Sequence, residues 1–534
     1  MKSITAYHQR TKHSLQHGYA RGPETLDWDD QPNAFRYFEG CPNIKLPAPG
    51  QQRMVSWSQI HANTVKPAEL NLENLGLLLE LSFGLSAWKQ VGPDRWAVRN
   101  NPSSGNLHPT EAYLITENDQ LLPAGVYHYV SHDHMLEQRC LFESHVVSNQ
   151  LLIGLSSIHW REAWKYGERA YRYCQLDTGH AVAAIQYAAA TLGWRVELVT
   201  GFSDDDIAQI LGLNRTDDFV AKEYETAELI CRINYNNEAE PTHKPDLLTL
   251  AEDGKWQGKA RSLGACHVFD WPVIEQVSQA TQKQPADTEY DPDAPQKWHA
   301  GSAQLLETDS TELAITLIRQ RRSAQRFIPN MTAMRQPAFF RMLSALSVRN
   351  NVVLGSWPWA PAVHLCLFVH NVEGLAPGLY CLPRSELGIN TLKRSMKPEF
   401  LWQPVAAFPQ LYLLYQADVR HVAKKLSCHQ AIAADGVFSL AMIAEFHQNI
   451  HQQAWYYRRL FWECGLLGQI LYLEAEAVKY RGTGIGCFFD DDVHRILGID
   501  TDELQSLYHF TVGEPFEDAR IETLPAYYHL QSQR

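Results

Sequence analysis

An α+β fold laid down twice in tandem is what this chain predicts, and three observations predict it. Similar strings recur in the same order in both halves. Each lies between a long apolar helix pattern and short strands rich in β-branched and aromatic residues, such as "EAYLIT" and "VHLCLFVH". A polar stretch with three prolines, Gln279 to Ala303, separates the halves. At 534 residues the chain is long enough for two domains of about 200 to 250 residues, each with its own core.

The elements can be taken in order. "LLPAGVYHY" (Leu121 to Tyr129) matches "GLAPGLYCL" (Gly374 to Leu382), each a Pro-Gly turn running into a strand. "TLGWRVELVTGFSDDDIAQILGL" (Thr191 to Leu213) matches "YRGTGIGCFFDDDVHRILGI" (Tyr480 to Ile499) once three residues are gapped, and an apolar helix precedes both. Asp204 to Asp206 and Asp490 to Asp492 stand at helix starts, where free N–H groups and the helix dipole favour carboxylates. Capping is preferred here over metal binding. A repeat of this length predicts gene duplication and an internal pseudo-dimer, with domains over 1–278 and 304–534 and a linker over 279–303.

Composition narrows the function. A formal net charge of −13 with no basic run argues against a nucleic-acid partner. The ten cysteines form no C-x-x-C pair, so they read as small buried thiols, with no metal site expected. Without an apolar targeting segment or a run of about 18 apolar residues, no membrane association is expected and the cytoplasm is the expected location.

The copies differ where chemistry would sit. "RNNPSSGNLHPTEAY" (Arg99 to Tyr113) occurs once; its counterpart reads "LGSWPWAPAVHL" (Leu354 to Leu365), with tryptophans in place of the serines. Gly105 allows close backbone approach to a ligand, while Ser103, Ser104 and Asn106 offer hydrogen-bonding groups. "RRSAQRF" gathers Arg321, Arg322, Ser323 and Arg326, either as a phosphate cradle or as a solvated basic face. In the first copy "YHQRTKHS" (Tyr7 to Ser14) holds only a rearranged set, Arg10, Thr11 and Lys12. "WKYG" carries an adjacent Lys165 and Tyr166; aligning Gly179 with Gly468 sets them opposite Ala454 and Trp455. The pair suits proton transfer or charge stabilisation, and a snorkelling lysine beside a packed tyrosine is the alternative.

Together these motifs resemble the nitroreductase superfamily, and within it the SagB-type (thiazole/oxazole dehydrogenase-like) branch. "RNNPSSGNLHPTE" resembles its Arg-x-x-Pro-Ser-x-Gly-x-Leu-x-Pro-x-Glu signature, "RRSAQRF" its opening Arg-Arg-Ser motif and "GTGIGCF" its loop under the flavin ring. Gln325 departs from the pattern, since a basic residue belongs there and Arg326 follows one position late.

The resemblance implies two tandem FMN-dependent nitroreductase-like domains and one FMN per chain. Cofactor-binding residues would be Arg99, Ser103, Ser104, Gly105 and Asn106 from the first copy, with Arg321, Arg322, Ser323, Arg326, Gly484, Ile485 and Gly486 from the second. Lys165 and Tyr166 would be catalytic. The implied reaction is hydride transfer from a small organic molecule or a peptide azoline to flavin N5, by a monomer that already contains its pseudo-dimer. Two other readings stand beside it: an NAD(P)H-dependent nitro- or quinone reductase, and a non-catalytic flavin-binding partner protein.

Overall fold

The computed structural model describes residues 1–48, 50, 52–117, 119–143, 150–236, 244–264, 267–285, 305–308, 310–329, 332–347 and 351–531. From residue 286 onward, the expected linker lies outside them. Two compact units result, and they differ from the contiguous halves expected. The N-terminal unit takes Gly22–Tyr290, Leu313–Arg319 and Arg520–Arg534, and the C-terminal unit takes Gln320–Ala519, Met1–Arg21 and Asp291–Glu312.

Burial of short apolar faces explains this exchange of ends. In the C-terminal unit, helix Lys2–Arg10 buries Ile4 and Tyr7, and the Tyr7 ring meets Tyr457 edge-on at 6.2 Å. In the N-terminal unit, strand Glu522–Leu524 pairs with Leu85–Val91, and the buried Tyr527 hydroxyl accepts a hydrogen bond from the Leu85 N–H at 2.9 Å.

The N-terminal unit begins its core with α1 (Leu72–Phe83), capped by the Asn71 side chain. Strands β1 (Thr110–Thr116), β2 (Gly125–Val130), β3 (Met135–Leu141) and β4 (Leu151–Ser157) follow. Helices α2 (His159–Tyr166) and α3 (Ala170–Thr191) lead to β5 (Arg195–Val199), α4 (Asp204–Leu211) and β6 (Thr226–Asn234). The antiparallel sheet runs β3-β2-β1-β4-β6-β5, with Asn43–Lys45 and Lys255–Trp256 added beside β3. One face packs Tyr113, Ile115 and Ile230 against Ile207 and Leu211 of α4, and α3 covers the other. Coverage on both faces is why β1, β2 and β4 are buried throughout and show no polar alternation.

The C-terminal unit repeats the plan. Its elements are α5 (Gln336–Ser347), β7 (Val363–Val369), β8 (Gly378–Leu382), β9 (Phe408–Gln416), α6 (Arg420–Leu426), β10 (Phe438–Glu445) and α7 (Phe446–Gln452). Then come α8 (Tyr456–Ala477), β11 (Arg481–Ile485), α9 (Asp490–Leu497) and β12 (Leu504–Gly513). The sheet order β9-β8-β7-β10-β12-β11 is that of the first unit, element for element, and again antiparallel.

The register between the two units needs no gap. Helices α3 and α8 begin at 170 and 456, strands β5 and β11 at 195 and 481, helices α4 and α9 at 204 and 490, a constant separation. This places Gly179 opposite Gly465, Lys165 opposite His451 and Tyr166 opposite Gln452, correcting the alignment on Gly468 and the pairing with Ala454 and Trp455. The extra glycine in "GLLG" allowed the shifted match; element lengths remove it.

The acidic triplets divide their work. Ser203 and Asp206 form a reciprocal capping box at α4. At α9 no side chain caps the helix. There Asp490 and Asp492 accept the backbone N–H groups of His13 and Leu15 at 3.0 and 2.7 Å, and Lys12 pairs with Asp491 at 3.1 Å. Among the described residues, no helix is long and apolar enough to cross a membrane.

Candidate functional site

In the N-terminal unit, the Pro-Ser-Ser-Gly loop between the strand Asp94–Arg99 and β1 is held from beneath by two buried carboxyls. The Ser104 N–H donates to both oxygens of Asp177, at 3.2 Å each. The Ser103 hydroxyl makes a long 3.5 Å contact with Glu162 and accepts the His108 N–H at 2.8 Å. Asn106 turns inward, donating to the Ala97 carbonyl at 2.8 Å. Gly105, Asn106 and His108 all have positive φ, at 61°, 60° and 52°, so the loop is a tight turn.

Lys165 and Tyr166, at the end of α2, stand directly over that turn. A Cβ on Gly105 would lie 2.6 Å from the Tyr166 hydroxyl oxygen and 3.2 Å from Lys165 Nζ. Only glycine permits this approach. The lysine ammonium lies 5.6 Å from the Trp28 ring centre and 5.5 Å from that of Tyr166, and the Tyr166 ring tilts against Tyr173 at 4.5 Å. Sequence reading therefore found two groups that the fold brings together, the serine loop and the Lys-Tyr pair.

It missed the carboxyls beneath them. Burial pushes Asp177 up to about 7, opposed by hydrogen bonds from Ser103 and Ser104. Burial and the neighbouring Asp177 push Glu162 well up, because two adjacent buried carboxyls resist holding two charges. Burial also lowers Lys165, against the pull of Glu162. The signals were available: Glu162 lies one helical turn before Lys165, and Asp177 is an acid inside an apolar helix.

The signature's remaining residues hold the frame. Glu111 on β1 pairs with Arg161 of α2 at 2.5 Å, and Arg161 also donates to the His108 carbonyl at 2.7 Å. His128 bridges Glu111 and Glu137, at 3.0 Å from each, and those carboxylates raise it to about 9 against its burial. Arg99 is buried, donates to the Ala34 carbonyl and lies 5.1 Å over Phe35.

In the C-terminal unit, the Arg-Arg-Ser segment is brought to Gly484–Gly486 by Tyr472 of α8; Gly484 and Ile485 are the paired end of strand β11 rather than the loop expected. The Tyr472 hydroxyl meets Ser323 Oγ at 2.8 Å and accepts the Gly484 N–H at 2.9 Å. Ala324, Phe327 and Ile485 share one small apolar cluster, and Thr483 Oγ1 donates to the Ala324 carbonyl at 2.7 Å. Gly484 has to be glycine, since a Cβ would fall 1.8 Å from the Tyr508 hydroxyl. No motif pointed to Tyr472, because Ser323 lies 149 residues away in sequence.

The arginines are unequal. Arg321 is buried, 4.9 Å over the Tyr472 ring. Arg322 donates to the Arg321 carbonyl at 2.6 Å, and burial together with the charge of Arg321 lowers it to about 9. Arg326 is exposed and lies 5.1 Å over Phe516. In the N-terminal helix region, Thr11 donates to the Tyr7 carbonyl at 2.8 Å, so with Lys12 on Asp491 that rearranged set is occupied within its own unit. Elsewhere, among the described residues, His132, Asp133 and His529 bring possible metal-ligand atoms within 4.8 Å of one another; His132 already bonds Asp133 at 2.8 Å.

Residues 90–221 match the nitroreductase family. That span holds the serine loop, α2 with Lys165 and Tyr166, and Asp177. A putative nitroreductase of Methanocaldococcus jannaschii, MJ1384, is 25% identical over 154 residues, 27% of this chain and 74% of that protein. A putative nitroreductase from Anabaena variabilis, solved by crystallography, shares the fold over 96% of this chain and 99% of its own, with a TM-score of 0.69 and 23% identity. An Escherichia coli microcin synthetase McbBCD complex matches 36% of this chain and 78% of its own at a TM-score of 0.26 and 18% identity, too slight a likeness to bear on substrate.

Proposed function

We propose that this protein is an FMN-dependent oxidoreductase of the SagB type, binding one FMN per chain and oxidising a small organic molecule or a peptide azoline. The observation that carries the reading is the Lys165-Tyr166 pair standing over Gly105 in the Pro-Ser-Ser-Gly loop. The shared sheet order of the two units supports descent from one duplicated domain.

The residues fit the group. Arg321 and Arg322 are adjacent, desolvated cations, with Glu476 and Arg481 also acting on Arg322; bound phosphate relieves such repulsion and accepts guanidinium hydrogen bonds. Tyr472 fixes Ser323 and Gly484 relative to each other, so phosphate and ring contacts are preorganised in one unit. Ser104 is aimed by Asp177. When bound, FMN supplies hydride acceptance. Lys165, its ammonium form disfavoured by burial, takes the proton the substrate releases, and the Tyr166 hydroxyl steadies the charge that develops.

The test is the visible spectrum and flavin content of the purified protein. One FMN per chain, lost in Arg322→Ala, supports the assignment, and a colourless protein that cannot be reconstituted refutes it. The second reading, an NAD(P)H-dependent nitro- or quinone reductase, is favoured by the family match over 90–221. Fast anaerobic bleaching of the flavin by NADPH selects it; indifference to NADPH selects the dehydrogenase.

A further inference from the structure

Six of the nine cysteines among the described residues are buried, as expected of small apolar thiols, but Cys41, Cys428 and Cys487 are half-buried. Two of those three meet. Within the C-terminal unit the Cys487 and Cys428 sulfurs are in contact at 2.7 Å, from positions 59 residues apart.

Both sides of the contact are fixed by backbone. Cys428 and His429 are successive non-glycine residues at positive φ, 52° and 61°, a costly conformation that persists only where surroundings impose it. Gln430 Nε2 donates to the Cys487 carbonyl at 3.2 Å, and the Phe489 N–H donates to the Leu426 carbonyl at 2.8 Å. The turn after α6 and the segment after β11 are thus stitched on either side of the sulfurs. A second pair gives the contrast: Cys366 and Cys381 are cross-strand partners but fully buried, and burial with the neighbouring thiol holds Cys381 protonated. Reactive cysteines need access and thiolate character.

We propose that Cys428 and Cys487 form a reversible oxidation site, closing to a disulfide when the protein meets a hydroperoxide. One sulfur, as thiolate, attacks a peroxide oxygen, giving a sulfenic acid and hydroxide. The second thiol then attacks that sulfur, forming the S–S bond and releasing water. Two thiols are oxidised and one hydrogen peroxide is reduced to two waters. Cys487 follows Gly486 directly, so the bond ties the Gly484–Gly486 segment assigned to the flavin ring to the turn after α6. This last link, and reduced flavin as a source of peroxide, rest on the proposed function; the oxidation itself does not.

The experiment adds peroxide to the reduced full-length protein, blocks remaining thiols with N-ethylmaleimide, digests without reductant and reads the peptides by mass spectrometry. The expected product joins the Cys428 and Cys487 peptides, two hydrogens lighter than their sum, and dithiothreitol separates it. In Cys428→Ser the cross-link disappears and dimedone traps a sulfenic acid on Cys487. Recovery of both wild-type peptides as separate maleimide adducts, or joined to other cysteines, overturns the proposal. The wild-type result needs no variant to fold and no bound flavin, so its failure is distinct from failure of the flavin reading.

Discussion

The Tyr166 hydroxyl oxygen occupies space that any side chain on Gly105 would need, 2.6 Å from the position of its Cβ. The glycine's φ of 61° also lies in the left-handed region. Gly105→Ala therefore costs about 1–2 kcal/mol in backbone strain and displaces Lys165 and Tyr166. Turnover should fall more than tenfold while the melting temperature drops by only a few degrees. Normal turnover in this variant removes the pair from the site.

Lys165 and Tyr166 separate by kinetics. Lys165→Ala removes the proposed proton acceptor and should lower kcat by about 10²–10⁴-fold, with flavin content unchanged. Tyr166→Phe keeps the ring against Tyr173 and should cost less. Full activity in both variants means the chemistry lies elsewhere.

Tyr472→Phe deletes the hydroxyl that joins Ser323 to Gly484. About 1–3 kcal/mol of local organisation is lost, and FMN should dissociate roughly tenfold faster, read by fluorescence on dilution. The helix itself keeps its aromatic packing on Phe510 at 4.8 Å, so a change in thermal stability without any change in flavin retention contradicts the assignment.

His128 sets a pH window. Its pKa is raised from 6.5 to about 9 in the folded protein by Glu111 and Glu137. Below 6.5 it is charged in both folded and unfolded states and its stabilisation is complete; as pH climbs from 6.5 through 9, the folded state must give up that proton and the contribution is lost. The loss is of the order of 3 kcal/mol. Melting temperature against pH should fall across this window, and His128→Gln should flatten the curve.

Much was legible in the sequence because local chemistry encodes it. The glycine and serines of the loop, the adjacent Lys-Tyr, the clustered arginines and the repeated Asp triplets are runs whose composition states their use: tight turn, donor, cation, helix start. Short strands rich in β-branched and aromatic residues and a long, largely apolar helix pattern gave the α+β plan.

Pairings between distant residues were decided only by the tertiary structure. Asp177 reaches Ser104, Tyr472 reaches Ser323 and Cys428 reaches Cys487 through folding of the sheet and its helices, and nothing in their neighbours announces it. The same holds for the chain ends, which join units by burying Tyr7 and Tyr527. Even the register between the two units was settled by helix and strand lengths, because a second glycine in α8 made the shifted alignment look equally good. Composition and order along the chain fix what each segment is able to do; only close packing, which acts through space without regard to sequence distance, determines which segments do it together.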